Sequence, residues 1–382
     1  MQSLSQPTAV DLFCGAGGLS LGLSRAGFRV VAAADHWAPA VASYRMNHPE
    51  HRMLDVDLGG VAWDDFMRQA GIVPGSVDLV AGGPPCQGFS IQRIGEDTDS
   101  RNHLVLKFGE LVARIRPAMF LMENVPGLLG KRGRELAACF AEGMGRAGYH
   151  VRSAIVDAAT FGVPQHRRRV VFIGCRRDVL PPLAVPVGDL DEHEFKTVRE
   201  TFEGLPSPPA DYTPHPDDPL HRWMKVSALN ERRLRHIPPG GGFESLPVDL
   251  RVDCHKQGAA RIGHRYVYGR LHPDEPAGTI TARFDSFTRG KFAHPEEHRN
   301  ITLREGARLQ TFPDAYRFVG TQEEVAAQIG NAVPPLLAER LARVLRAHLT
   351  ATLSRPASIS QPDGPQMPLF ADVDLDGAAV DG

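Results

Sequence analysis

One cysteine of the sequence stands in a setting suited to nucleophilic chemistry. Cys86 lies in GGPPCQGFS (82–90), at the end of the apolar run VDLVAGG (77–83). Two prolines fix the backbone before the thiol and two glycines precede them, so this loop is constrained where a predicted strand ends. Thiolates are strong nucleophiles, whereas most free cysteines behave as small, inert hydrophobic residues. We interpret the other cysteines as inert: Cys14, Cys139, Cys175 and Cys254.

A carboxylate and a basic segment follow further along the chain. Glu123 begins ENVPG (123–127) at the end of another predicted strand, and QHRRRV (165–170) places Gln165, Arg167 and Arg169 at alternate positions. Alternate residues of an extended segment face one side. Taken singly, the glutamate fits an exposed charge or a helix cap, and the arginines fit a solvated edge.

A glycine-rich turn opens the chain in DLFCGAGGLSLGL (11–23), between a predicted strand and a helix. Glycines allow a ligand to approach the backbone closely, and Asp35 follows Gly15 by 20 residues, at the end of the next predicted strand. A carboxylate at this spacing is placed to bind a ribose. The same glycines also fit a tight turn in any doubly wound protein.

The elements that position these motifs are typical of a parallel sheet with crossover helices over the first 180 residues. Open sheets of this kind bind ligands at the carboxyl ends of their strands, where the motifs stand. The predicted strands are 9–13, 29–35, 77–83, 118–124 and 169–175. The predicted helices are 37–48 and 103–115, and helical patterns return at 302–312 and 334–349.

Composition and charge narrow the class of protein. The chain has 382 residues, 42% of them hydrophobic, and we find neither a signal segment nor an apolar run of about 18 residues that could span a membrane, so we expect a cytoplasmic protein. The five cysteines lack a CxxC pair and the sixteen histidines lack ligand spacing, so we expect no disulfide framework and no metal. The net charge of −2 gives no overall nucleic-acid signature, although local segments are basic.

Together the motifs resemble the cytosine-5 DNA methyltransferase family of the bacterial modification type. The family's motifs occur in order along residues 8–345, and the nine residues around Cys86 are the most specific match. The matching segments are DLFCGAGG, Asp35, GGPPCQGFS, DSRNHL (99–104), ENV, QHRRR, RNITLREGARLQTFP (299–313) and QIGNAVPP (328–335). Two positions depart from the usual family pattern: Asp35 stands where Glu is more common, and Ala332 where Ser is common.

The resemblance implies an α/β fold with a Rossmann-like S-adenosylmethionine-dependent methyltransferase domain. Residues 1–180 and 299–350 would form this catalytic domain, and the loop-rich, basic region 181–298 would be an inserted target recognition domain. We expect the acidic tail, 351–382, to be disordered because it has little apolar material for a core. The family roles implied for the cofactor S-adenosyl-L-methionine fall on Phe13, Gly15, Gly17, Asp35, Asp55, Leu104, Asn331 and Val333.

The catalytic roles implied are those that methylation of cytosine requires. Cys86 would add to carbon 6 of the base, Glu123 would bind ring nitrogen 3 and the amino group, and Arg167 and Arg169 would hold the base. A base inside a duplex must first be flipped out of the stack. Candidate contacts to double-stranded DNA, partly in PAGTITARFDSFTRGKF (276–292), are Gln87, Ser90, Gln165, Arg283, Arg289 and Lys291.

Three alternatives have different discriminating features. An RNA substrate keeps the chemistry, but the large basic region 181–298 favours duplex DNA. A silent DNA-binding homologue should have lost Cys86, Glu123 or Arg167, and all three are present. A nicotinamide oxidoreductase explains the glycine-rich turn and leaves the cysteine loop without a role.

The partners expected are a cognate restriction endonuclease and, through the tail, a sliding clamp. QMPLF (366–370) resembles short clamp-binding peptides, with Gln366, Leu369 and Phe370 as anchors. We expect a monomer, because one strand of an asymmetric duplex is read at a time. The family resemblance also implies that the protein is associated with the bacterial nucleoid.

Overall fold

Alternating apolar runs of the first half form a seven-stranded sheet in the computed structural model, which describes residues 6–85, 103–253 and 267–353. The order of the strands across the sheet is β3-β2-β1-β4-β5-β7-β6. The strands are β1 (Thr8–Leu12), β2 (Arg29–Asp35), β3 (Arg52–Asp55), β4 (Leu79–Gly82), β5 (Met119–Asn124), β6 (Tyr149–Asp157) and β7 (Arg168–Arg176).

The first five strands pair in parallel, which confirms the predicted crossover arrangement for this part of the sheet. The expectation of a parallel sheet is wrong at β7, which pairs antiparallel with β5. The connection from β6 to β7 contains the 3₁₀ turn Ala158–Phe161 and no α-helix. A parallel neighbour needs a long crossover connection, usually a helix, and this connection has no α-helix.

Helices cover the sheet and supply most of the remaining regular structure. Those between the strands are α1 (Gly18–Arg25), α2 (Ala38–Asn47), α3 (Trp63–Ala70), α4 (His103–Ile115) and α5 (Arg134–Arg146). The helices that follow β7 in the chain are α6 (Val198–Phe202), α7 (Ala228–His236), α8 (Leu303–Leu309), α9 (Gln322–Asn331) and α10 (Pro335–Leu353). Among the described residues, no helix is long and apolar enough to cross a membrane.

The chain divides into two compact units. The first contains the sheet and comprises the described residues up to Val156, Arg168–Val187 and those from Leu337 onward. The second comprises Asp157–Arg167 and Gly188–Leu336. Residues 299–336 belong to the second unit because α8 packs against both α6 and α9. The two units are defined by packing and not by function. The assignment of a catalytic domain and a target recognition domain therefore remains a prediction.

The core of the first unit lies on the sheet. Phe120 of β5 makes edge-to-face contacts with Phe108 of α4 and Phe140 of α5. Strands buried on both faces contain nearly continuous apolar runs, as β1, β4 and β5 do. The sheet therefore gives a rigid frame for the loops at its carboxyl edge.

The second unit has little regular structure beyond short helices and the two-stranded pairing of β8 (Gly269–Arg270) with β9 (Lys291–Ala293). Its small apolar core includes Leu234, Phe243 and Phe287. The guanidinium of Arg270 is buried there and donates hydrogen bonds of 2.5–2.7 Å to backbone carbonyls, two of which, Leu234 and Ile237, end α7. The described residues between 188 and 298 are largely irregular, in line with the loop-rich texture predicted there.

Candidate active site

The glycine-rich turn between β1 and α1 has the backbone geometry of a ligand-binding loop. Phe13, Gly15 and Gly17 have φ values of 58°, 54° and 95°, which lie in the left-handed region. This region costs a residue with a side chain roughly 1–3 kcal/mol, so the conformation of Phe13 marks a constrained position. Among the described residues, and apart from Gly15 and its chain neighbours, no heavy atom lies within 4 Å of the position that a Cβ on Gly15 would take. The turn is therefore open to a ligand at this glycine.

Asp35 lies at the carboxyl end of β2, and its carboxylate is tied to this turn. The amide of Gly15 donates to Oδ2 at 2.9 Å, and the amides of His36 and Trp37 donate to Oδ1 at 2.8 and 2.9 Å. A carboxylate has about four acceptor sites, so three bonds leave capacity for a further donor such as a ribose hydroxyl. The structure brings together the predicted residues Gly15 and Asp35.

Asp55 and Leu104 stand beside this corner of the sheet. Asp55 is exposed at the end of β3, in register with Asp35 on the neighbouring strand. Leu104 is buried in the first turn of α4, and its Cδ2 lies 3.1 Å from where a Cβ on Gly59 would be. It therefore packs against the turn that follows β3. Asn331, which is exposed, and Val333, which is buried, belong to the second unit.

A buried polar chain behind the turn was not predicted from the sequence. Ser20 Oγ donates to Oδ2 of Asp11 at 2.6 Å and lies 2.8 Å from the hydroxyl of Tyr44, which lies 2.9 Å from Nδ1 of His51. The ring of His48 stacks on His51 and hydrogen-bonds the backbone at Gly17. The sequence feature that could have indicated this polar chain is Asp11, a charged residue within the otherwise apolar strand β1.

The loop that leads to the predicted nucleophile is fixed at its base. A Cβ on Gly82 would lie 2.5 Å from the carbonyl oxygen of Leu12, so only glycine lets β4 approach β1 this closely. The buried side chain of Asn124 donates from Nδ2 to the carbonyl of Pro84 at 3.0 Å. The asparagine of the ENV motif thus holds the segment that precedes Cys86 by two residues. The predicted residues Cys86, Gln87 and Ser90 lie outside the described residues.

Glu123 and Arg169 form an ion pair at the same edge of the sheet. Nε of Arg169 lies 2.9 Å from Oε1 of Glu123, and both side chains are 13% exposed. The contact is an ion pair and not a hydrogen bond, because the N–H of Arg169 does not point at Oε1. Among the described residues, Oε1 of Glu123 therefore has no hydrogen-bond donor. Glu123 lies opposite Val171 in the β5–β7 pairing, which places Arg169 on its diagonal. The carboxylate of Glu123 is thus paired with Arg169 and still has an oxygen that can accept a hydrogen bond, which suits recognition of a polar ligand.

Arg167 and Gln165 are buried in the second unit. Arg167 Nη atoms donate to the carbonyls of Ile280, Gly330 and Ala332 at 2.9–3.1 Å. Gln165 Nε2 donates to the carbonyl of Leu309 at 2.8 Å. The strand β7 begins only at Arg168, so Gln165, Arg167 and Arg169 do not lie along one strand. Their predicted contacts to the base or to DNA remain predictions.

The three predicted cations of segment 276–292 have different surroundings. Arg283 pairs with Asp285 and Glu323, each at 3.2 Å. Lys291 donates to the carbonyl of Gly240 at 2.8 Å. Arg289 is exposed, and its guanidinium has no ion-pair or hydrogen-bond partner within the described parts of the chain. Arg289 is therefore the cation of this group most available to a phosphate.

The described cysteines fit the inert interpretation. Burial raises the pKa of Cys14 well above its usual value and that of Cys175 to about 11, and burial also raises the pKa of Cys139. Their thiols therefore stay protonated near neutral pH. Cys254 and the tail residues Gln366, Leu369 and Phe370 lie outside the described residues.

One group of side chains has the composition of a metal site. His48, Glu50 and His51 present ligand atoms within 4.8 Å of one another. The two imidazole rings are stacked with planes only 6° apart. A metal ion bonds in the plane of an imidazole ring, so this stacking disfavours one ion bound by both rings. The expected absence of a metal remains a prediction.

The fold defines the class of protein: it is a mixed α/β fold with a central, largely parallel sheet, as in S-adenosylmethionine-dependent methyltransferases. The family model for C-5 cytosine-specific DNA methylase matches residues 8–347. The chain belongs to this family and is a DNA (cytosine-5-)-methyltransferase.

Relatives and solved structures agree with this assignment. Type II methyltransferase M1.HphI of Haemophilus parahaemolyticus is 36% identical over 344 residues, covering 88% of this chain and 86% of that protein. Type II methyltransferase M.AgeI of Thalassovita gelatinovora is 32% identical over 427 residues, covering 89% and 99%. An E. coli prophage protein described as a DNA modification methyltransferase superposes with a TM-score of 0.68 at 26% identity, covering 90% and 99%. Dnmt2 of S. pombe, at 17% identity and a TM-score of 0.64 with 92% and 100% covered, shares the fold.

Proposed function

We propose that this enzyme moves a methyl group from S-adenosylmethionine to carbon 5 of a cytosine flipped out of a specific duplex DNA site, through a covalent bond between Cys86 and the base. The observation that carries the proposal is the ion pair of Glu123 and Arg169 at the end of β5, beside the strand that leads to Cys86. The type II names of the relatives support a role in restriction and modification.

The covalent bond solves a problem of reactivity. Carbon 5 of cytosine is too weak a nucleophile to be methylated directly. When the Cys86 thiolate forms a bond to carbon 6, electron density moves to carbon 5, which would then take the methyl group as its bond to the sulfonium sulfur breaks and S-adenosylhomocysteine leaves. Loss of the carbon-5 proton then returns electrons to the ring, and the sulfur–carbon bond breaks to release the thiolate.

Glu123 and Arg169 would act on the other side of the base. Glu123 would contact ring nitrogen 3 and the amino group of the base, and this contact would stabilise the negative charge that develops at nitrogen 3 during thiolate addition. Arg169 Nη1 donates to the carbonyl of Arg168 at 2.8 Å, which fixes the guanidinium as its Nε faces Glu123. Because both side chains are largely buried, their charges act with less screening than in water.

The cofactor residues of the first unit fit an adenosyl ligand. The open space at Gly15 and the remaining acceptor capacity of Asp35 support binding of the ribose, with Asp55 and Leu104 beside it. Phe13 and Gly17 would line the same turn, and Asn331 and Val333 remain predicted cofactor residues. Bound S-adenosylmethionine supplies an electrophilic methyl group on a sulfonium.

Recognition of the DNA would fall to the second unit, and its predicted contacts are Gln165, Arg283, Arg289 and Lys291. Rotating the base out of the stack costs a few kcal/mol, which contacts to the DNA must offset. A paired restriction endonuclease, a sliding clamp bound through Gln366, Leu369 and Phe370, and a monomeric state remain predictions.

Bisulfite sequencing of plasmid DNA tests the proposal. A bacterial host without cytosine methylation would express the wild type, Cys86→Ser, Glu123→Gln or Arg168→Lys. Arg168 is exposed and serves as a matched control next to Arg169. We expect 5-methylcytosine in one recurring sequence context from the wild type and the control, none from Cys86→Ser, and a loss of roughly 100-fold or more from Glu123→Gln. Unmethylated DNA from folded wild type would overturn the proposal.

A further inference from the structure

The buried guanidinium of Arg167 joins two segments of the second unit. Nη1 donates to the carbonyl of Ile280 at 2.9 Å, and Nη2 donates to the carbonyls of Gly330 and Ala332 at 3.1 and 2.9 Å. The side chain is 1% exposed. Gly330 and Ala332 are the two neighbours of Asn331, so Arg167 holds the backbone on both sides of a residue that the family resemblance assigns to the cofactor.

Two glutamines extend this arrangement. Gln310 Nε2 donates to the carbonyl of Ile329 at 2.5 Å and lies 3.4 and 3.3 Å from those of Gly330 and Ala332. Gln165 donates to Oε1 of Gln310 at 2.8 Å and accepts from the amide of Ile280 at 3.1 Å. Both glutamines are fully buried. The same two backbone segments are thus held by three side chains.

The two segments also contact each other directly. A Cβ on Gly330 would lie 2.2 Å from the carbonyl carbon and oxygen of Thr281 and 2.5 Å from the amide nitrogen of Ala282. No side chain fits there, so the backbones pack at the closest distance available. Movement of the 279–282 segment must therefore move the backbone next to Asn331.

These contacts give Arg167 a role different from binding the base. The 279–282 segment lies within 276–292, where the DNA contacts are predicted, and Asn331 lies where the cofactor contact is predicted. We propose that Arg167 is a positioning residue. Through the carbonyls of Ile280, Gly330 and Ala332, it fixes the 279–282 segment and the backbone around Asn331 in one arrangement relative to each other. This inference rests on the proposed function, because it takes both assignments from it.

The test measures cofactor affinity in the absence of DNA, because a base contact cannot affect it. Calorimetry with S-adenosylhomocysteine would compare the wild type, Arg167→Lys and Gln310→Met. A lysine keeps the charge but cannot reach three carbonyls with one planar group. If a variant holds the correct arrangement a tenth of the time, its apparent Kd rises about tenfold. We expect such a rise in both variants, with a parallel rise in KM for DNA.

A matched control separates positioning from general stability. Arg270→Met also removes a buried guanidinium from backbone carbonyls of the second unit, in a different core. We expect it to lower the unfolding midpoint without changing the Kd of the folded fraction. Because Arg167 and Gln310 both contact the carbonyls of Gly330 and Ala332, their effects on Kd should be coupled, and the double variant should bind less weakly than the sum of the two single effects predicts.

The outcomes distinguish this inference from the proposed function. Unchanged Kd values in both Arg167→Lys and Gln310→Met, beside normal wild-type binding, would overturn the positioning role. If Arg167→Lys does not fold, the Gln310→Met result decides it alone. A wild type that fails to bind S-adenosylhomocysteine would instead overturn the proposed function.

Discussion

Asp11 shows how a single buried group can couple the glycine-rich turn to pH. Its carboxyl group is fully buried on β1, and Oδ1 has no hydrogen-bond partner among the residues that the structure describes. Burial, aided by the charge of Asp35, raises the pKa of Asp11 to about 7, although the Ser20 hydroxyl partly offsets this rise. The folded protein therefore favours the protonated carboxyl group.

This shift predicts a pH dependence of stability. The folded pKa lies above the usual value of 3.8, so the stabilisation is complete below about pH 4 and is lost as the pH rises through about 7. Linkage puts the loss on the order of 4 kcal/mol at most. Urea unfolding between pH 4 and pH 8 should show a flatter profile for Asp11→Asn than for the wild type.

Ser20→Ala provides the matched variant for this prediction. It removes the 2.6 Å hydrogen bond to the carboxyl group, so it should raise the pKa of Asp11 further and extend the loss of stability to higher pH. An Asp11→Asn protein with the same dependence as the wild type between pH 4 and pH 7 would show that another group is responsible.

At the scale of residues, motif positions were predictable and individual contacts were not. Gly15 and Asp35, both assigned to the cofactor from the sequence, meet because they lie at the carboxyl ends of adjacent parallel strands. The alternation in QHRRR suggested one shared role for Arg167 and Arg169, yet the boundary between the two units falls directly after Arg167. A linear pattern carries no information on where the chain passes from one unit to another.

At the scale of elements, the start of α8 is stabilised by a buried ion pair. Thr302 and Glu305 form a capping box, and Arg299 donates to both carboxylate oxygens of Glu305 at 2.8 and 2.7 Å. Burial alone would raise the pKa of Glu305, but the charge and hydrogen bonds of Arg299 outweigh it and lower the pKa to about 2. The helix leads directly to Gln310, which holds the backbone beside Asn331.

We predict that this pair stabilises the protein at neutral pH and fails in acid. The folded pKa of Glu305 lies below its usual 4.5, so the stabilisation is present above pH 4.5 and is lost as the pH falls towards 2. At pH 7, Glu305→Gln should lower the free energy of unfolding by about 1–3 kcal/mol, because it weakens the buried pair while Glu297 still binds Arg299.

The exposed pair of Glu231 with Arg235 on α7 gives the control for this prediction. Glu231→Gln should change the free energy of unfolding by less than about 1 kcal/mol. Urea unfolding of both variants at pH 7 checks the comparison. Equal effects would mean that burial does not set the strength of the Arg299–Glu305 pair.

Strands with strong apolar runs were predictable, and edge strands were not. The segments 29–35 and 118–124 match β2 and β5 within one residue. The edge strands β3 and β6 were missed because solvent on one side leaves exposed, polar residues along them. The antiparallel direction of β7 could not be predicted either, because it depends on a connection without a crossover helix.

At the scale of the whole molecule, the chain crosses between the two units several times. The short segment Asp157–Arg167 leaves the first unit between β6 and β7 and packs within the second unit. Residues distant in sequence therefore share one unit, as Arg167 and Gly330 do. The resemblance to the family anticipated that such motifs act together, whereas composition and a net charge of −2 did not indicate a DNA-modifying enzyme.

The central claim is that Cys86 forms a covalent bond to the target cytosine, and trapping that bond tests it most directly. The probe is a duplex with 5-fluorocytosine at the site found by bisulfite sequencing, incubated with S-adenosylmethionine and the wild type, Cys86→Ser or Arg168→Lys. Fluorine at carbon 5 cannot leave as a proton does, so the sulfur–carbon bond should persist. We predict a denaturation-resistant complex for the wild type and Arg168→Lys, with the DNA mapped by mass spectrometry to the Cys86 peptide. An adduct on another residue, or none from an enzyme that methylates the normal duplex, would contradict the account.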